Sequence, residues 1–484
     1  MKVLFTHSYF LKLDVKQYQN KTPYAPLATL YAAALLRQNK FNVSLFDVQF
    51  CNSGHDIADT LTSTKPDVLV IYDDGFNYLS KMCLTNMRHA AFQMQQIAKL
   101  HGCTVIVSSS DATDNYEKYF DNGADYIIAG EAEYTLLDLV NAIKSRSNNF
   151  DSIGGLIYKK DNAVCKTAKR QVLKNLDELP FPAWDLIDIA AYKKIWLAKH
   201  GYFSLNFVTT RGCPYKCNWC AKPIYGNRYN SHSAKYIVDL IADLQQKYNF
   251  NHIWFADDIF GLKPNWLAEF AKLVDEQKIK FTYKIQSRAD LLLEENAIKH
   301  LALSGCTNVW MGAESGSQKI LDAMDKGITV GQIYEATNLL KKNNIQPALF
   351  LQFGYPGETL ADIKLTTKMV HDLMPDDIGV SVSYPLPGTK FYETVKNELQ
   401  QKANWNDSDD LDLMFKNIYN NNFYKQLHRH FHKSYRKKQA IQTFKKVFDN
   451  GVNKRSLKKI ASLLYYIPVT FIEQQKLNRL TKAQ

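Results

Sequence analysis

Three cysteines, Cys213, Cys217 and Cys220, fall within TTRGCPYKCNWCAKP, directly after a short apolar run. The spacing CxxxCxxC offers three thiolates from one loop, with no obvious fourth ligand nearby. A structural zinc site closes its tetrahedron with four ligands. A cubic iron–sulfur cluster that only carries electrons also takes four cysteines. Three thiolates leave one iron of such a cube open to a substrate or cofactor. The competing readings are a zinc knuckle and three unrelated thiols.

The cysteine spacing, with the aromatic Trp219 just before the last cysteine, resembles the radical S-adenosylmethionine (SAM) superfamily. The resemblance implies a 4Fe-4S cluster on Cys213, Cys217 and Cys220. Its open iron would chelate the amino and carboxylate groups of SAM, and an electron from it would cleave SAM to a 5′-deoxyadenosyl radical. It implies an external one-electron donor such as flavodoxin or ferredoxin. Trp219 is assigned with the SAM-binding residues. Further assignments follow from residues at successive strand ends. Asp257 and Asp258 match the segment that receives SAM's amino group, where an ammonium donor needs an acceptor; the plainer reading is two aspartates capping the next helix. Arg288 matches a contact to SAM's carboxylate, which suits a guanidinium fork; the plainer reading is an ion pair with Asp290. Glu314 is assigned to the ribose hydroxyls. Gln352 and Gly354 open the segment QFGYPGE, whose backbone would flank the adenine, glycine permitting close approach; the plainer reading is a tight turn.

The elements that must carry these residues alternate. Between Tyr202 and Pro387 six strands are expected, at Leu205–Thr210, His252–Phe255, Phe281–Ile285, Asn308–Met311, Ala348–Phe353 and Ile378–Ser383, with helical stretches between them. Six such units resemble the partial (β/α)6, TIM-like barrel of radical SAM enzymes, whose chemistry belongs at the carboxyl ends of the strands. The preceding part alternates too, with strands expected at Lys2–Thr6, Val43–Val48, Pro66–Tyr72, Thr104–Val107 and Tyr126–Ala129, and helices at Leu27–Arg37, Met87–Leu100 and Tyr134–Ile143. That alternation predicts a doubly wound parallel sheet. The expected division is residues 1–148 as a Rossmann-like domain and 149–200 as a linker with a small strand pair near Gly154–Tyr158. The barrel follows over 201–392, then a helical basic region over 393–484.

The first domain resembles the cobalamin-binding domain fused ahead of many radical SAM barrels, on the entry PYAPL at Pro23–Leu27, the sheet pattern and Gly130-Glu131-Ala132-Glu133 after the last strand. The resemblance places cobalamin against Asp73, Ser108, Ser109, Ser110, Gly130 and Glu131. Short hydroxyl side chains and free backbone N–H groups suit that role. The loop from Tyr72 to Asn77 is unusually acidic. No DxHxxG motif is present, so no histidine is assigned as lower cobalt ligand. The alternative is a domain that keeps the fold and binds nothing.

The chain has 484 residues, 46% of them hydrophobic, enough for a sizeable core. Its eight cysteines do not make a disulfide scaffold; Cys51, Cys83, Cys103, Cys165 and Cys306 are scattered, mostly as small hydrophobes. Free thiols for a cluster imply a reducing cytoplasm. No run of about 18 apolar residues appears, so no spanning helix is expected. The formal net charge is +12, with much of the excess late in the chain. There His428 and His432 share a helix face without an HExxH glutamate. The apolar Ser462–Ile472 is expected to pack on the barrel, the alternative being peripheral membrane contact.

The resulting expectation is a cobalamin-dependent radical SAM methyltransferase acting on an unactivated carbon of a small molecule or lipid. Its alternative is an anaerobic cyclase or ring-rearranging enzyme resembling magnesium-protoporphyrin ester cyclase. Two further alternatives are an RNA-modifying radical SAM enzyme and a nucleic-acid-associated metal-binding protein. No recognisable RNA-binding module is present, and no stable nucleic-acid partner is expected.

Overall fold

The structure is a computed structural model that describes residues 1–76, 80, 84–220, 222, 224–402, 404–450 and 454–482. Asn77 of the acidic loop and Cys83 lie outside the described residues. The chain divides into two compact units. The first holds Met1–Tyr215, Ala221–Ile285 and Asn404–Asp410; the second holds Lys216–Cys220, Gln286–Ala403 and Leu411–Gln484.

The first unit opens with strands β1 (Lys2–Thr6), β2 (Asn42–Phe46), β3 (Val68–Tyr72), β4 (Thr104–Ser108) and β5 (Tyr126–Ile128). They pair in parallel in the order β2-β1-β3-β4-β5. β3 reads VLVIY with all five residues buried, as a strand covered on both faces must. Its core joins Leu69, Ile71, Val105 and Val107 to Ala90, Met94 and Ala98 of the helix Thr85–Leu100. The strand order reverses between β1 and β3, and ligands of such sheets bind beyond the carboxyl ends at that point. The segment 149–200 supplies β6 (Leu156–Lys160) and β7 (Ala163–Lys166), which extend this sheet antiparallel, and the helix Ile189–His200.

Next come β8 (Ser204–Phe207), β9 (Thr210–Arg211), β10 (Asn230–Ser231), β11 (His252–Phe255) and β12 (Thr282–Ser287). β8, β11 and β12 pair in parallel, while β9 and β10 form a short antiparallel pair. In the second unit β13 (Cys306–Glu314), β14 (Gln346–Phe353) and β15 (Asp377–Val382) pair in parallel. All six expected mid-chain strands are present, shifted at their ends; the first stops at Phe207, and Thr210 belongs to β9 instead.

The second unit closes with helices Asn421–Asn450, Lys454–Ala461 and Leu463–Lys482. The NNN expected as a loop begins the first of these. Asn420 Oδ1 accepts from Phe423 N at 3.0 Å, so one asparagine caps while the next two enter the helix. Among the described residues no helix is long and apolar enough to cross a membrane.

Candidate active site

In the first unit the residues ahead of Cys213 are fixed from below. Asp257, at the end of β11, accepts four hydrogen bonds on Oδ1: from Thr209 N at 2.8 Å, Thr209 Oγ1 at 3.1 Å, and Thr210 N and Oγ1 at 2.6 Å each. Its Oδ2 is buried without a protein partner. Burial pushes the Asp257 carboxyl up to about 7, against the pull of those bonds. Asp258 is exposed, so the two neighbouring carboxylates part company. Gly212 has φ +80°, and a Cβ there would stand 2.4 Å from Arg228 O, so only glycine fits just before Cys213.

Arg211 is the buried anchor of this segment. Its guanidinium is ion-paired to Glu131 and, at 2.7 Å, to Glu133. The rings of Tyr225, Phe76 and Tyr31 surround it at 5.3, 5.7 and 5.9 Å. Glu131 also accepts from Leu173 N at 2.6 Å. The residue expected to face a corrin therefore spends its carboxylate inside the protein. Arg211 is not singled out by the sequence, and Glu133 enters there only within Gly130-Glu131-Ala132-Glu133, because partners about 80 positions apart leave no local signal of their pairing.

In the second unit Cys217 lies beside two buried cations. Arg288 Nη1 is 3.7 Å from Cys217 Sγ, and the same guanidinium makes a bidentate pair with Asp290 at 2.9 and 3.0 Å. Arg288 also donates to Lys326 O at 2.8 Å. Lys326 Nζ donates to Glu314 Oε1 at 2.8 Å and stands 5.9 Å from the Trp219 ring centroid. Burial alone would lower the Lys326 ammonium, but Glu314 and Cys217 outweigh it and raise it. Glu314 sits at φ 57°, at an irregularity in the β13–β14 register, which turns its carboxylate to the lysine. The structure thus gathers Cys217, Trp219, Arg288 and Glu314, and adds Lys326, which sequence reading missed. Asn218, also missed, ties the segment down: its N–H donates to Met324 O at 3.0 Å, its Nδ2 to Ala323 O at 2.7 Å, and its Oδ1 accepts from Tyr355 Oη at 3.0 Å.

Gln352 donates to Ser383 Oγ at 2.9 Å. Gly354 has φ +79°, its N–H donates to Glu358 Oε2 at 2.6 Å, and its Cβ side is closed by Leu413 and Tyr424. The turn it makes is real, and one of its flanks is filled by protein.

At the carboxyl edge of the N-terminal sheet, Asp73 Oδ1 accepts from Ser8 N at 2.7 Å and Asp73 N donates to Ser108 O at 2.9 Å. Ser109 Oγ caps the helix Ser110–Asp114 by accepting from Ala112 N at 2.9 Å. Gly130 has φ +85°, with Ile224 O 3.8 Å from the position of a Cβ. The six residues expected there do share one edge, although the side chains of Asp73, Ser109 and Glu131 are bonded within the fold. Gln49, just past β2, is buried with neither amide atom partnered.

A family model described as the radical SAM superfamily matches residues 207–370. An uncharacterized methyltransferase of Pyrococcus horikoshii is 27% identical over 81% of this chain and 83% of its own. The anaerobic magnesium-protoporphyrin IX monomethyl ester cyclase of Rubrivivax gelatinosus is 24% identical over 83% and 71%. By the family-model match, residues 207–370 of the chain form a radical SAM domain. In fold it is similar to the cobalamin-dependent S-adenosylmethionine radical enzyme OxsB, solved with aqua-cobalamin and S-adenosylmethionine bound. That likeness covers 98% of this chain and 71% of the other, at a TM-score of 0.75 and 17% identity.

For a radical SAM enzyme the donor set is apt. Cys213, Cys217 and Cys220 form no disulfide, and soft thiolates suit iron–sulfur ligation. Among the described residues no three His, Cys, Asp or Glu side chains are gathered as a metal-binding group, so the fit rests on donor chemistry and flanking charge rather than on a preformed cage. The unpartnered Asp257 Oδ2 suits an ammonium, and the unpartnered Gln49 amide suits the amides of a corrin.

Proposed function

We propose that this radical SAM enzyme is a cobalamin-dependent methyltransferase that places a methyl group on an unactivated carbon of a small molecule or lipid. The observation that carries the reading is the parallel β2-β1-β3-β4-β5 sheet, with an unsatisfied amide past β2, preceding a thiol trio within the radical SAM match. Support also comes from the Pyrococcus horikoshii relative, described as a methyltransferase, which matches across most of both chains.

When bound, the cluster and cobalamin supply an electron to SAM's sulfonium and a transferable methyl group. The chain's own residues do the positioning. Cys213, Cys217 and Cys220 would hold the cluster. Asp257 Oδ2 would accept from SAM's ammonium, and Arg288, pre-oriented by Asp290, would meet its carboxylate. Glu314, steadied by Lys326, would accept from the ribose hydroxyls. Arg288 and Lys326 place positive charge beside Cys217.

The test is anaerobic reconstitution with iron, sulfide and cobalamin. Cobalamin absorbance should survive gel filtration, and SAM with reductant should yield 5′-deoxyadenosine and S-adenosylhomocysteine. Cys217→Ala should lose 5′-deoxyadenosine formation to background. SAM cleavage without retained cobalamin would overturn the methyltransferase reading and leave the radical SAM assignment standing. The second reading, an anaerobic cyclase, is favoured by the Rubrivivax gelatinosus relative. Product mass separates the two: gain of a methylene unit against oxidation or isomerisation.

A further inference from the structure

The N-terminal half of the helix Leu463–Lys482 is turned inside out. An amphipathic helix in water buries its apolar stripe and exposes its polar one. Here Thr470 and Glu473 are buried, at 3% and 8% exposure, while Leu464, Ile467 and Phe471 stand at 85%, 57% and 66%. Those three are spaced i, i+3, i+7, which makes one continuous row. Specific bonds hold the inversion in place: Gln426 Nε2 donates to Glu473 O at 3.0 Å, and Lys433 Nζ pairs with Glu473 Oε1 at 2.8 Å. The expectation that Ser462–Ile472 packs its apolar residues on the barrel is therefore corrected.

The row sits in a strongly positive neighbourhood. Residues 421–484 contain fifteen lysines and arginines against only Asp449 and Glu473, a surplus of thirteen. The rest of the chain is one charge negative, given the total of +12. In the helix just before, Leu457, Lys458 and Lys459 are exposed together.

We propose that the C-terminal helices dock the enzyme on an anionic bilayer surface, with the Leu464–Ile467–Phe471 row entering the headgroup boundary. A second copy of the chain would cover the row but set thirteen positive charges against thirteen. A nucleic acid would answer the charge and leave the row in water. An anionic bilayer satisfies both features. The helix lies on the membrane, since it is not apolar enough to cross one.

The test is flotation of the full-length protein with phosphatidylcholine vesicles, with and without phosphatidylglycerol. The protein should float with the anionic vesicles and stay behind with the neutral ones. Two variants separate the contributions, and both keep the fold because every substituted side chain is exposed. K458E/K459E should lower the partition coefficient at least ~10-fold, and L464S/I467S/F471S should abolish flotation, with circular dichroism unchanged. Three results overturn the proposal: no flotation with anionic vesicles; flotation that L464S/I467S/F471S leaves intact; or a parent dimer that this variant makes monomeric while neither floats.

Discussion

Two buried ions in the second unit make sharp tests at the scale of single residues. Lys326 and Glu314 are 7% and 6% exposed in their side chains. Gly312 is what lets them meet: a Cβ there would stand 2.7 Å from Lys326 Nζ. Lys326→Met leaves Glu314 charged and buried alone, and breaking such a pair costs about 3–5 kcal/mol. Adding Glu314→Gln should recover much of that loss, read by urea unfolding of the double-mutant cycle. Glu358 tests burial that outweighs the weaker pulls of a backbone N–H and of Lys319. Burial raises its carboxyl to about 8, although the Gly354 N–H pulls the other way. A carboxyl raised on folding holds its proton where the unfolded chain has lost it. Its stabilising contribution is complete below the unfolded value of about 4.3 and fades as pH rises through about 8. Glu358→Gln stays neutral throughout. The melting temperature of Glu358→Gln should therefore gain on the parent from pH 5 to pH 9, and a constant gap would refute the assignment.

At the scale of elements, the segment entering Cys213 is set by Gly212 and Arg211. Gly212→Ala forces a positive φ on a side chain that also meets Arg228 O, a strain of about 1–3 kcal/mol. Its expected signature is iron content per chain after reconstitution well below that of the parent. Arg211→Met strands Glu131 and Glu133 in the interior at about 3–5 kcal/mol, and Glu131→Gln with Glu133→Gln in the same chain should relieve it. The sequence made the first half of this visible and not the second. CxxxCxxC and the apolar strand runs are local, so the trio and the six mid-chain strands could be read directly. VLVIY at β3 announces a buried parallel strand by composition alone. Arg211, Lys326 and Asn218 act through partners distant in sequence, and nothing near them in the chain marks the meeting. The row at Leu464, Ile467 and Phe471 is legible as apolar, but its outward facing depends on Gln426 and Lys433, which no periodicity reveals.

Across the whole molecule, the question is what loss of the cluster would disturb. The division between the two units runs through the thiol segment, with Cys213 in the first and Cys217 and Cys220 in the second. Each side is secured by protein contacts that need no metal. Thr209 and Thr210 rest on Asp257 in one unit; Asn218 is bonded to Ala323, Met324 and Tyr355 in the other. The N-terminal sheet has its own core, built on Leu69, Ile71, Val105 and Val107. Amide exchange reports local opening separately from global unfolding. Stripping iron from the reconstituted protein should therefore speed exchange in a narrow set of peptides, those spanning 212–226 and the 323–328 turn that Asn218 and Arg288 hold. Peptides of β1, β3 and β4 should keep their protection within about twofold, because none of their hydrogen bonds passes through the thiols. Exchange-coupled mass spectrometry of the loaded and stripped forms decides it. If protection collapses across β3 and β4 as well, the N-terminal sheet depends on the cluster for its stability, and the two units do not hold their cores independently.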